Sequence, residues 1–355
     1  MRCTGASRIV QVHPTRLCNL RCLHCYSASG PEVRGELEVG LLCDALAGAS
    51  ALGYTAMTVS GGEPLLYRPL PQLLAGARRL GLVTALTTNG MLLDERRLAS
   101  LAGVLDLMVI SLDGTPASHD RMRNHPRAFS TMASRLPGVR RAGLRFGFLF
   151  TLTQYNLHEL DWVAAFAADQ GAELLQIHPL EAAGRASELL PGECPDDEEG
   201  SWTLLVAASL QERYRGRLHV KLDLVSRRAL ADRAPSFCAA DEAGDAAAAP
   251  FAELVQPLVI EADGEVVPLE YGCPRRLSLG NLRDAPLSVL ADRWRRERYP
   301  EFRGLCRAAL ASVVEAPAGA APLTNWSDAL RRAGSAPPAP AAPPFPAAPP
   351  SPAAG

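Results

Sequence analysis

Six strand-like segments recur along the first half of the chain, each followed by a helical stretch. That alternation limits the fold more than any single residue does. The segments read RIVQVHPT (8–15), YTAMTVSGGEP (54–64), VTALTTNG (83–90), LDLMVISLDG (105–114), RFGFLFTLT (145–153) and ELLQIHPLE (173–181). Between them, residues 36–52 place Leu41, Leu42, Leu46, Ala49 and Leu52 at helical spacing,. PLPQLLAGARRLG (69–81) opens on Pro and closes on Gly, LDERRLASLAG (93–103) is a short helix, and residues 156–170 space Leu157, Leu160, Val163 and Phe166 along one face,. Strands alternating with helices imply a parallel sheet, curved or barrel-like. In such a sheet the site belongs at the C-terminal ends of the strands. The polar and glycine-rich motifs of this chain stand there.

The first strand runs into CNLRCLHC (18–25), which sets Cys18, Cys22 and Cys25 on one short loop. Thiolates are soft ligands that select Zn, Cu(I) or iron–sulfur clusters. A closed zinc site needs four protein ligands and a cubane usually has four cysteines. Three cysteines on a four-iron cubane leave one iron free for a substrate or cofactor, so the shortage points to chemistry. The alternative is a zinc site completed by His24 or His13. The chain holds nine cysteines, an odd number, and shows neither a secretory signal nor an apolar run of membrane length,. That usage reads as metal or redox chemistry in the cytoplasm rather than a disulfide framework. A formal net charge of −2 gives no global attraction to nucleic acid or an anionic membrane, so neither is an expected partner,.

With these motifs in place, the chain resembles the radical S-adenosylmethionine (SAM) enzymes. The resemblance implies that Cys18, Cys22 and Cys25 hold a [4Fe-4S] cluster whose fourth iron binds SAM. An electron from the reduced cluster then cleaves SAM to a 5′-deoxyadenosyl radical, which abstracts hydrogen from a substrate. It also implies a reductant such as flavodoxin or ferredoxin. GGEP alone is an ordinary strand-to-helix turn. At the end of the strand that follows a three-cysteine loop, Gly61, Gly62, Glu63 and Pro64 match the family motif that meets the amino group of SAM. On this reading Gly62→Val leaves the cluster in place and removes SAM binding. Thr87, Thr88, Asn89 and Gly90 end the third strand and resemble residues that line the SAM pocket. Ser111 and Asp113 share one face of the fourth strand, since strand side chains alternate, and suit the ribose hydroxyls or the methionine end of SAM; the bland alternative for Asp113 is a helix N-cap. Arg123 is a candidate partner for the SAM carboxylate, with Arg121 and Arg127 as competitors. His24 stands where the family places a bulky side chain beside the adenine. Asn156 and IHPLE also resemble elements near SAM.

The expected architecture is thus α/β: a partial (β/α)6 TIM-like barrel with a small α+β C-terminal extension and a disordered Ala/Pro-rich tail. The domains read as a radical SAM core over 1–190, a linker and helical segment over 191–236, a C-terminal unit over 237–315 and the tail over 316–355. PGECPDDEEG (191–200) is an acidic linker with solvated charges. LVIEADGEVVPLEYG (258–272) is a hairpin around the Asp263-Gly264 turn,. The C-terminal unit resembles the SPASM or twitch extension, but Leu269 stands where a hairpin cysteine is usual. With Cys238, Cys273 and Cys306 remaining, two extra clusters are not expected. One auxiliary cluster needs a non-cysteine ligand, and the favoured alternative is a cluster-free cap whose cysteines are small buried hydrophobes. RWRRERY (293–299) reads as a solvated helix face. The resemblance implies a peptide or protein side chain as substrate, or else a small molecule in tetrapyrrole or other cofactor synthesis. A non-catalytic zinc or iron–sulfur protein is the rival from another class.

Overall fold

The computed structural model describes residues 8–232, 249–315 and 323–335. The six expected strands form as β1 Ile9–Val12, β2 Ala56–Val59, β3 Val83–Thr88, β4 Leu107–Ser111, β5 Phe146–Leu152 and β6 Leu174–Pro179. All five neighbouring pairs are parallel. The helices between them are α1 Val39–Ala51, α2 Leu70–Arg79, α3 Glu95–Leu101, α4 Pro116–Arg123, α5 Ala128–Arg141 and α6 Leu160–Asp169. One face of the sheet (Val10, Val12, Met57, Val59, Leu86, Ile110, Phe148, Leu175 and Ile177) joins helix residues such as Leu46, Leu74, Leu136 and Val163 in the main core. The alternate residues Gln11, Thr58, Thr87, Gln176 and His178 are only half-buried. Their polarity on the open face explains the period-two pattern of β1, β2, β3 and β6.

Two additions extend this sheet. β7 His219–Leu222 pairs parallel with β6. On the other side, β9 Leu258–Ile260 pairs parallel with β1, and β10 Glu265–Pro268 and β11 Gly280–Asn281 follow antiparallel. The order across the ten strands is β11-β10-β9-β1-β2-β3-β4-β5-β6-β7. The C-terminal hairpin therefore continues the barrel sheet through β1, and Gly264, at φ +90°, makes the turn only a glycine adopts freely,.

Two stretches behave differently from their composition. The acidic run at 191–200 ends in α7 Asp197–Arg213, where Asp196 accepts from the backbone N–H groups of Glu198 and Glu199 while the Glu199 side chain accepts from Asp196 N. This capping box converts charges read as merely solvated into a helix start. In the stretch read as a disordered tail, β12 Leu323–Thr324 pairs with β8 Val225–Ser226, and α10 Trp326–Ser335 packs beside α9 Tyr299–Val314, which itself packs on α8 Leu287–Glu297. Leu323, Ala329 and Leu330 are buried, with Trp326 packed beside them. Averaged with the Ala/Pro run, that short apolar stripe disappears from the composition. The run from residue 336 lies outside the described residues. Among the described residues, no helix is long and apolar enough to cross a membrane.

Candidate metal centre and cofactor site

The cysteine loop leaves β1 and lies across the C-terminal ends of the barrel strands. Cys18 and Cys22 are buried and Cys25 half-buried. The ends of β2, β3 and β6 and the helix α4 each send a group to hold the loop. From β2, Gly62 N donates to Thr15 O at 2.8 Å and Glu63 N to Leu17 O at 2.9 Å. A Cβ on Gly62 would stand 2.2 Å from Leu17 O, and one on Gly61 would stand 2.6 Å from Thr15 O. The glycine pair thus admits the chain's own backbone, one residue before Cys18. This corrects the expectation for Gly62: a side chain there displaces the cysteine loop before it touches any ligand.

Glu63 is 1% exposed. Its carboxylate accepts from Thr88 Oγ1 at 2.7 Å, Leu65 N at 3.1 Å and Asn89 N at 2.9 Å. Burial pushes its pKa up, against those three hydrogen bonds. A carboxylate has roughly four acceptor positions, so one remains for an ammonium group. Pro64 opens a buried 3₁₀ turn over Pro64–Leu66. Asn89 donates from Nδ2 to Asn19 Oδ1 at 2.9 Å and accepts from Met91 N at 3.0 Å. It fastens the end of β3 to the cysteine loop, and Thr87 is half-buried on the open face beside it.

Beyond β4, Asp113 is fully buried and forms a two-point ion pair with Arg123, Nη2 to Oδ1 at 3.0 Å and Nε to Oδ2 at 2.6 Å. Burial would raise the Asp113 pKa, but Arg123, helped by His24 and His119, holds it below the usual carboxylate range. The same guanidinium donates from Nη1 to Cys22 Sγ at 3.8 Å. Asp113 is thus paired with Arg123, the guanidinium that also reaches Cys22. Of the three competing arginines, Arg123 alone is buried at the loop; Arg121 lies 3.8 Å over the Tyr155 ring and Arg127 is exposed. His24 Nε2 lies 3.9 Å from Asp113 Oδ1, and burial first, together with Arg123, takes its pKa down to about 4 despite Asp113. Its imidazole is thus neutral at pH 7. Ser111 is buried on the same face of β4 as Val109. Asn156 bridges two strand ends, donating to Asp113 O at 3.0 Å and Thr151 O at 2.9 Å.

Sequence reasoning missed Arg185. After β6 its Nε donates to Cys22 O and its Nη1 to Ser29 O, both at 2.8 Å, and its backbone N–H donates to Cys25 O at 3.0 Å. Gly184, at φ +56°, packs so closely that a Cβ would stand 2.4 Å from Cys25 O. The Gly-Arg pair after the sixth strand was the available signal.

These residues fit an iron–sulfur cluster. The donors are three thiols with a guanidinium beside Cys22. Without metal, burial first and then the charge of Glu63 push Cys18 up to about 12, so loading releases protons,. Among the described residues, no three His, Cys, Asp or Glu side chains are gathered as a single metal ion requires, whereas a cluster spreads its thiolates over different irons. His13, one of the two histidines considered for zinc, is fully buried and turned elsewhere. Its Nε2 meets Gln11 Nε2 at 2.7 Å and its ring lies 4.7 Å from that of Tyr271. Cys273 and Cys306 lie buried in the main apolar core with Leu277 and Trp294. Cys238 lies outside the described residues.

Residues 12–167 match the Radical SAM superfamily profile. The chain is 32% identical over 187 residues to the Fe-coproporphyrin III synthase of Methanosarcina barkeri, covering 51% of this chain and 46% of that protein. It thus spans about half the length of such curated relatives. It is 27% identical over 296 residues to a PqqA peptide cyclase of Xanthomonas campestris pv. campestris, covering 82% of this chain and 74% of that one. The fold matches Streptococcus suis SuiB bound to S-adenosylmethionine with a TM-score of 0.65 at 14% identity, over 84% of this chain and 68% of SuiB.

Proposed function

The chain carries a radical SAM domain over residues 12–167, and from that premise we propose that it is an enzyme that modifies a peptide or protein side chain. Cys18, Cys22 and Cys25 would hold a [4Fe-4S] cluster, and the strand ends from Glu63 to Arg123 would seat SAM beside it. The observation that carries this reading is the grip on the cysteine loop from the ends of β2, β3 and β6 and from α4. When bound, the cluster and SAM supply one-electron chemistry that yields a hydrogen-abstracting 5′-deoxyadenosyl radical.

The chain's own share is placement and shielding. Gly61, Gly62 and Arg185 hold the loop backbone, so the three thiols keep fixed positions. Glu63 offers its remaining acceptor position to the ammonium of SAM. Arg123, neutralised on one edge by Asp113, keeps its other donors for an anionic group near Cys22,. The buried strand ends exclude water, which suppresses side reactions of a reactive intermediate.

A peptide substrate is supported by the length of the match to the PqqA peptide cyclase and by the fold shared with SuiB, also solved bound to its precursor peptide SuiA. Tetrapyrrole chemistry is the second reading, favoured by the higher identity to the Fe-coproporphyrin III synthase. The enzyme would work in the cytoplasm with a low-potential donor such as flavodoxin or ferredoxin. The two readings separate by adding iron coproporphyrin III to the reconstituted protein with SAM and dithionite. On the peptide reading it leaves 5′-deoxyadenosine formation unchanged; stimulation by the tetrapyrrole would replace this reading with the second.

A further inference from the structure

The helix α10 sits across the open mouth of the barrel, and its polar edge is fastened to both sides of that opening. Arg331 Nη2 pairs with Glu181 Oε2 at 2.9 Å, two residues beyond the end of β6. The Nε of the same guanidinium lies 3.6 Å from Glu270 Oε1, on the segment that follows the C-terminal hairpin. Asn325 Nδ2 adds a second bond to Glu181 at 3.1 Å. Glu181 follows β6 and Glu270 follows β10, strands near opposite ends of the ten-strand order, and one guanidinium joins them. Tyr271, next to Glu270, has its ring 5.5 Å from that of Tyr26 on the cysteine loop, so the clasp lies over the approach to Cys25.

The two faces of α10 are held differently. Its apolar face, with Trp326, Ala329 and Leu330, packs with Leu305, Leu310 and Val313 of α9. Its barrel side makes polar contacts and leaves a cavity of about 110 Å³ against Leu180, Cys194 and Asp197. That side is thus less tightly packed than the α9 side. Breaking the polar clasp frees the barrel side while the α9 side stays anchored, which is the construction of a hinged cover.

We propose that α10 is a lid on the barrel mouth, latched by Arg331 across Glu181 and Glu270, that opens to admit a peptide to the cysteine loop. The peptide rests on the function proposed above; the latch does not. The test uses the full chain reconstituted anaerobically, with backbone hydrogen exchange at 323–335 as one readout. The other is the rate at which bathophenanthroline disulfonate, a bulky chelator, removes cluster iron. Arg331→Ala should raise exchange at 323–335 about tenfold and speed iron removal by a similar factor, since opening becomes local and frequent. Glu181→Gln should do the same to a smaller degree, and Arg331→Lys should restore most of the protection. Unchanged exchange in Arg331→Ala and Glu181→Gln would overturn the latch. Raised exchange with unchanged iron removal would overturn the lid, leaving α10 a structural brace. A chain that takes up no iron would remove the proposed function, while exchange at 323–335 would still decide the latch.

Discussion

Among the described residues, buried cysteines occur in two regions, and their exposure does not tell the regions apart. Cys18 and Cys22 at the strand ends are 8% and 7% exposed, and Cys273 and Cys306 in the C-terminal unit are 5% and 1% exposed. The difference lies in the company. Around the first pair stand Glu63, Asn19, Asn89, Arg123 and Arg185, most of them hydrogen-bonded to the loop or to one another. The second pair belongs to the main apolar cluster that also holds Leu277, Leu290, Trp294 and Phe302, with Glu270 and Glu261 close enough to Cys273 to act on its thiol. A buried cysteine among apolar side chains is a small hydrophobe. A buried cysteine in a polar, backbone-gripping shell is set up as a ligand, since outer groups fix the position of the inner ones.

The sharpest way to break this contrast is Arg123→Ala. It leaves Asp113 buried and unpaired, and removing one partner of a buried ion pair costs about 3–5 kcal/mol. Urea unfolding should show that loss, and Asp113→Ala in the same chain should recover much of it. Full stability in the single variant would mean that the pair organises nothing. Next comes Gly62→Ala. Its Cβ would meet Leu17 backbone, so iron per chain should fall to background on reconstitution while the fold survives by circular dichroism. Normal iron with weaker SAM binding would restore the original expectation for this glycine. Arg185→Ala removes two charge-assisted bonds to loop carbonyls, worth about 1.5–3 kcal/mol each. The cluster should still form but be lost faster to a chelator. Cys273→Ala and Cys306→Ala should cost about 1 kcal/mol each, as small core truncations do, with iron content unchanged; lost iron would place an auxiliary cluster in that region.

The smallest effect is a pH dependence. Burial first, and then the charge of Glu181, raise the Glu270 pKa to about 7 despite Arg331. An acid that binds its proton more tightly in the folded chain than in the unfolded one makes stability fall as pH rises between its two pKa values. Stability should therefore decline from about pH 4.5 to 7, and Glu270→Gln should flatten that slope. An unchanged slope in the variant would assign it elsewhere.

Four of the strands were legible because one face packs on helices while the other stays polar, which writes a period of two into β1, β2, β3 and β6; β4 and β5 were legible as short, nearly continuous apolar runs, buried on both faces,. The cysteines were legible because their spacing is local. The shell around them was legible only in part. Glu63 and Asn89 announce themselves as polar residues at strand ends, but the partners within the fold do not: the glycine pair accommodates Leu17, and Asp113 pairs with Arg123. Arg185 was marked only by the Gly-Arg pair after the sixth strand, because it acts on backbone carbonyls more than 150 residues away and carbonyls leave no trace in sequence. The helix at 326–335 was hidden by its neighbours, since its apolar stripe is diluted by the Ala/Pro run on either side.

The account rests on the claim that the gripped loop holds a cluster that works on SAM. The direct measurement is anaerobic reconstitution with iron and sulfide, then reduction with dithionite in the presence of SAM, with 5′-deoxyadenosine as the readout. The account predicts a brown protein that forms 5′-deoxyadenosine, and neither colour nor product in Cys22→Ala. A colourless wild-type protein that carries zinc and forms no 5′-deoxyadenosine would contradict it.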